Sequence, residues 1–231
     1  MSRVLQVARL HLVNPLVSLG IPWLVVSISF AINLAVWHLT PAGEDDGGFS
    51  GGVLALYITA LVVYIQSVTH LLPFAMGLSI SRRTFYLGTA LFALAQSLYY
   101  GIALATLVAI ENATGGWGAG LSYWAPGPFE VDNFFLQVLT SGAPMLAFIS
   151  VGVGMGVVHQ RWGQAGTWGL IIGTMTLFGG LGIVITWLEA WGSVGAWFGE
   201  QSTATLTIAL PTAVALVVAL ASFPGIRRVV P

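Results

Sequence analysis

The chain contains no cysteine, which excludes disulfide frameworks, thiol nucleophiles and Cys-based metal sites. Lysine is absent too, so all seven basic residues are arginine. A Walker A loop needs its lysine to reach the β- and γ-phosphates, so this chain does not hydrolyse ATP by that route, and Schiff-base chemistry is excluded with it. Charge of either sign is scarce, at 6% of 231 residues against about a quarter in soluble domains. That is too little ionic surface to cover a water-soluble globule. A net charge of −1 offers no basic face to nucleic acid. Arginine in place of lysine throughout is the habit of a GC-rich genome, and the chain reads as bacterial.

What the chain has instead is apolar length, with 57% hydrophobic residues and a mean hydropathy of +0.90. The few charges are ordered by sign. Arg3 and Arg9 are followed by Glu44, Asp45 and Asp46, then Arg82 and Arg83, then Glu111, Glu130 and Asp132. Arg161 comes next, then Glu189 and Glu200, and last Arg227 and Arg228. The seven blocks alternate strictly, and an uncharged run of at least 26 residues lies at each of their six boundaries. Crossing the hydrocarbon takes about 20 apolar residues, and a charge at its centre costs roughly 2.5–3.5 kcal/mol. The runs are therefore read as spans, near 16–39, 52–78, 85–110, 134–158, 166–188 and 204–223.

Arginine-bearing segments belong on the cytoplasmic side, which puts both termini inside. The expected fold class is all-α: a polytopic membrane protein of six transmembrane helices, N-in and C-in, preceded by an interfacial amphipathic helix. It forms a single transmembrane domain over 1–231, with an elbow helix at 1–15, a six-helix bundle at 16–223 and a cytoplasmic tail at 224–231. A signal peptide is the competing reading of the N-terminus. It fails because the apolar stretch from Leu16 is too long and no A-x-A-like site follows. Residues 40–51 read as a short turn, residues 112–133 as an aromatic-rich cap, and the stretch from Trp187 to Thr203 as one or two short interfacial or re-entrant helices.

Few side chains suggest chemistry. Within the second span, Gln66, Ser67, Thr69 and His70 form a polar patch, for which a helix–helix hydrogen bond is the favoured role. His38 falls near the end of the first span, while His11 and His159 read as interfacial. No two histidines have i, i+4 spacing, so no metal site is expected. Ser141 and His70 make no convincing protease pair. Every carboxylate falls outside, where it cannot serve a cytoplasmic lipid phosphotransferase. The glycines at 152, 154 and 156, at 169 and 173, and at 179, 180 and 182 read as helix-packing positions, with a dimer seam as the alternative.

The most informative segment is Gly77-Leu78-Ser79-Ile80-Ser81-Arg82-Arg83-Thr84-Phe85-Tyr86-Leu87-Gly88. Ser81 is placed as an N-cap, and two arginines open the next helix ahead of an aromatic pair. This stretch resembles the cytoplasmic signature of type-2 ABC exporter permeases, particularly the small six-span forms of actinobacteria and firmicutes. The elbow helix, the inner termini and the extended segment between spans five and six are similar to that class, as is Arg161-Trp162-Gly163. The cap at 112–133 is longer than in many of its members.

The resemblance implies a permease subunit of an ATP-driven exporter in the plasma membrane. It implies no catalytic residue and no cofactor bound by this chain, with ATP and Mg carried by a separate ATP-binding ABC subunit present in two copies. Ser81, Arg82, Arg83, Phe85 and Arg161 would couple to that ATPase, with Arg3 and Arg9 as secondary contacts. A second permease copy, identical or related, would complete the path. Spans free of charge suit a hydrophobic or amphipathic cargo such as a drug, peptide or lipid, and Asn33, Gln66, Ser67, Thr69 and His70 are the polar candidates along its way. The rival readings are a stand-alone carrier or channel and a membrane scaffold or immunity protein.

Overall fold

The computed structural model describes residues 3–40 and 49–228. Glu44, Asp45 and Asp46, with most of the expected turn at 40–51, lie outside the described residues. Among the described residues the chain is helical with no strand. One isolated bridge, between Phe49 and Ser122, is its sole β-type pairing. The elements are α1 (Arg3–Leu10), α2 (Ile21–Leu39), α3 (Leu54–Gly77), α4 (Arg82–Ala113), α5 (Phe134–Trp187), α6 (Trp191–Glu200) and α7 (Leu210–Arg227). Five stretches are long and apolar enough to cross a membrane: Leu16–Leu39, Gly51–Gly77, Arg82–Ala113, Phe134–Trp187 and Thr205–Arg227.

The fourth of these covers two of the expected runs. Its backbone breaks at Gly163, where φ is 63° and ψ is −151°. That conformation favours glycine, because a Cβ there meets its own backbone. The break divides α5 into a first arm, 134–162, and a second, 164–187. His159 Nδ1 and Thr167 Oγ1 bridge it at 3.0 Å.

The bundle core is built from α3, α4, the first arm of α5 and α7. In lipid no hydrophobic force draws helices together, so contact depends on small residues and on interhelical hydrogen bonds. Gly152 and Gly156 meet that need: a Cβ at the first would strike the Leu61 carbonyl of α3, and at the second the Val68 side chain. The same reading fails for Gly169, Gly173, Gly179, Gly180 and Gly182, which have no neighbour within 4 Å. Beyond the Gly163 break the second arm is mostly exposed, Trp168, Met175, Phe178 and Ile183 among its side chains, and so is α6.

Helix α1 packs on α4. Val7 is fully buried against Gly88, where any Cβ would lie 2.5 Å from the Val7 side chain. His11 follows directly and enters the bundle instead of the interface expected for it. It is 6% exposed, with Nδ1 2.9 Å from Ser67 Oγ, Nε2 3.1 Å from Thr89 Oγ1, and its ring stacked 5.0 Å from that of Phe92.

Prolines inside the helices open a further set of contacts. A proline has no N–H, so the carbonyl four residues earlier loses its usual donor. Pro22 frees the Ser18 carbonyl, which Gln96 Nε2 caps at 2.8 Å. Pro73 frees the Thr69 carbonyl, and Gln160 Nε2 caps that one. Two buried or half-buried glutamine amides thus tie neighbouring helices to the bends.

At the other end of α4, Glu111 is 3% exposed and holds the cap. Its carboxylate accepts from the backbone N–H groups of Tyr123 at 3.0 Å and Trp124 at 3.3 Å, and from the Trp117 indole at 3.1 Å. Asn112 donates to Glu130, drawing residues 126–131 onto the same helix end. Phe30 of α2 packs against Trp117, Tyr123 and Trp124, so the aromatic-rich cap is an ordered lid over this end of the bundle.

Candidate functional site

The segment joining α3 to α4 is a four-residue turn, Leu78–Ser81, with Ser79 in the left-handed region at φ 58°. Ser81 caps α4: its Oγ accepts from Thr84 N–H at 3.2 Å and lies 2.8 Å from Thr84 Oγ1. Arg82 and Arg83 then occupy the first two helical positions. Two cations there oppose the helix dipole, a cost of about 0.3–1 kcal/mol each. They sit beside a third from the far end of the sequence. Arg82, Arg83 and Arg227 line one shallow depression of about 470 Å³, with Met76, Ser79 and Ile80.

Among the described residues no carboxylate pairs with any of these three guanidinium groups, and the Arg82 Nε is buried with no partner. Arg3 and Gln6 of α1 line the adjacent recess against Leu78–Ile80. The electrostatic character of this end is therefore positive, concave and uncompensated among the described residues.

The remaining residues of the signature point inward. Phe85 is 1% exposed, with its ring 6.2 Å from that of His11. The Tyr86 hydroxyl donates to the Ala219 carbonyl at 2.8 Å and lies 2.8 Å from Ser222 Oγ, fastening α4 to α7. Gly88 seats α1, and Thr89 bonds His11. One short motif thus presents Ser81, Arg82 and Arg83 to the surroundings while its second half locks the helices beneath them. Arg161 is not brought into the depression. Its guanidinium lies over its own neighbour Trp162 at 4.3 Å, and with Arg228 it lines a separate cleft of about 750 Å³ between the arms of α5 and α7.

The polar residues expected along a path are dispersed. Asn33 donates to the Ser29 carbonyl at 2.8 Å and accepts from Ser50 Oγ at 2.6 Å, at the capped end. Ser67 is engaged by His11, and the Thr69 carbonyl by Gln160. Gln66 and His70 are exposed, and neither side chain makes a hydrogen bond within the described residues. The helix–helix bonds expected of the second-span patch come from Ser67 and Thr69, and His70 has no part in them. Successive helical positions project at about 100° from one another, so a run of adjacent polar residues does not share a face.

Arg227 and His11 carry no local signal of these roles in the sequence. The first is 144 residues from Arg83 in the chain, and the second pairs with side chains 56 and 78 residues away. Burial pushes the His11 imidazole down from 6.5 to about 4. No group of three or more metal-ligating side chains occurs among the described residues. Compared with known protein families, curated proteins and solved structures, the chain matches none.

Proposed function

We propose that this chain is the permease subunit of an ATP-driven exporter in a bacterial plasma membrane, and that it docks a separate ATPase through the turn around residues 79–86. The observation that carries the reading is the concave cluster of Arg82, Arg83 and Arg227, which no carboxylate pairs with among the described residues. Arginine forks suit interface carboxylates, and an acidic groove on the partner supplies them. Ser81 fixes the start of α4, so force applied at the arginines is delivered to a helix of 32 residues. Phe85 and Tyr86 act from beneath, passing that displacement to His11 and to α7.

In this reading the chain crosses the membrane six times with both termini inside, the Gly163 break forming the inner turn between spans four and five. Helix α1 is the interfacial elbow. The unpartnered second arm, with its open glycines, is where a second copy packs, since small residues are what lipid-embedded interfaces use. The cargo is hydrophobic or amphipathic. ATP and Mg belong to the partner.

The test is the double variant Arg82→Gln/Arg83→Gln, captured from the native membrane beside the wild type. The expected result is normal insertion with co-purifying ATPase activity reduced at least tenfold, the loss of two interfacial charge pairs. Undiminished association would remove the docking assignment and favour a carrier or scaffold acting alone.

A further inference from the structure

A recess of about 290 Å³ opens at the capped end of the bundle, among the cap, the start of α3, the first arm of α5 and the start of α7. Its floor repeats one sequence device on two helices. Thr140-Ser141-Gly142-Ala143-Pro144 lies in α5, and Thr207-Ile208-Ala209-Leu210-Pro211 leads into α7. Both threonines and both prolines line the recess. Each proline removes the donor that the carbonyl of its threonine would otherwise take.

The same spacing occurs at Ser18/Pro22 and Thr69/Pro73, where a glutamine amide supplies the missing donor. At Thr140 and Thr207 no side chain among the described residues does so. The hydroxyls tell the same story. Thr207 Oγ1 gives its one proton to the Thr203 carbonyl at 2.8 Å and lies 3.4 Å from Thr140 Oγ1, and Gln137 donates to Ser141 Oγ at 3.3 Å. Ser141 accepts the glutamine's bond, and neither Thr140 nor Ser141 donates one within the described residues. All four polar side chains here are less than 5% exposed. Freed carbonyls and idle hydroxyl protons at membrane depth occur where the backbone lines a cavity.

The walls are of a different kind. Tyr57, Trp124, Phe129 and Phe148 are aromatic, and no charged side chain lines the recess. The cap wall is held in place by Glu111, so the shape is preformed. We infer that this recess binds a small uncharged amphiphile. Its aromatic or aliphatic body lies against these rings, and one hydroxyl or amide group meets the Thr140–Thr207 floor as both donor and acceptor. The volume is at the lower end for small-molecule sites. This assignment goes beyond the docking reading and does not depend on it, because the recess is at the opposite end from the arginine cluster.

The test is photolabelling of the full chain in lipid nanodiscs with para-(hydroxymethyl)benzophenone, followed by peptide mapping. Label is expected on peptides carrying Tyr57, Trp124 or Phe148, and an excess of benzyl alcohol removes it. The charged analogue para-carboxybenzophenone labels these peptides weakly. Thr140→Val with Thr207→Val is expected to lower the label about fivefold, the loss of one good hydrogen bond. Pro144→Ala, which restores a helix bond and so keeps the fold, is expected to lower it as well. Arg82→Gln/Arg83→Gln labels like the wild type even if ATPase docking is lost. Label spread evenly along the exposed arm at 164–187, equal labelling by the carboxylate, or undiminished label in both floor variants would overturn the assignment.

Discussion

Replacing Glu111 by alanine is expected to lower folding stability by about 3–5 kcal/mol, because three donors then lose their acceptor in a buried place. The carboxylate takes the Tyr123 and Trp124 backbone N–H groups and the Trp117 indole, and Tyr123 and Trp124 are both buried. The cap over 114–125 therefore releases before the bundle does, and limited proteolysis should cut there first. Glu111→Gln keeps one acceptor oxygen and should cost only about 1–2 kcal/mol. Thermal unfolding followed by tryptophan fluorescence separates the two variants. Equal behaviour of Ala and Gln would show that the carboxylate does not hold the cap.

The second large effect concerns pH. His11 is neutral in the folded chain, with its affinity for a proton pushed down from 6.5 to about 4 by burial. The unfolded chain binds that proton first as pH falls, so stability rises with pH across this window and is lost on acidification from about 6.5 toward 4. The full loss is about 3 kcal/mol, the free-energy equivalent of that displacement. Neutral imidazole needs one donor and one acceptor, and the Ser67 and Thr89 hydroxyls can supply either. A charged ring finds no carboxylate at hand among the described residues. The region that answers first is α1, which His11 and the Val7–Gly88 contact hold against α4. His11→Phe keeps the stack on Phe92 and removes the titration, so its stability profile should be flat where that of the wild type slopes. An unchanged slope in that variant would assign the effect to other groups.

Much of the fold is legible in the charges. Seven alternating blocks mark where the long helices begin and end, and the helices at 16–39, 51–77, 82–113 and 205–227 fall on the expected runs. Where the sequence places an inner loop between two spans, at Arg161-Trp162-Gly163, the structure shows one long helix broken at the single residue Gly163. Ser81 reads correctly as a cap because capping is local chemistry.

Pairings between helices are another matter. In a water-soluble helix the apolar stripe names the buried face, but here lipid-facing and core-facing positions are both apolar. The periodicity therefore does not say that Val7 meets Gly88 or that Tyr86 meets Ser222. The polar patch at 66–70 looks like one site in the sequence and scatters around a helix in space. The carboxylate that anchors the cap and the paired threonine–proline floor are long-range arrangements of common residues. Only their geometry distinguishes them from ordinary packing.

The most direct test of the account is the sidedness of its two ends. The chain has no cysteine, so a single one introduced at Ser81 or at Asp132, both exposed, reports its own compartment without background. With a membrane-impermeant maleimide on intact cells, Asp132→Cys is expected to label at once and Ser81→Cys only after the membrane is opened. Labelling of both positions from the same side would contradict the sorting of arginines and carboxylates across a bilayer, and the proposed docking face for an ATPase would fall with it.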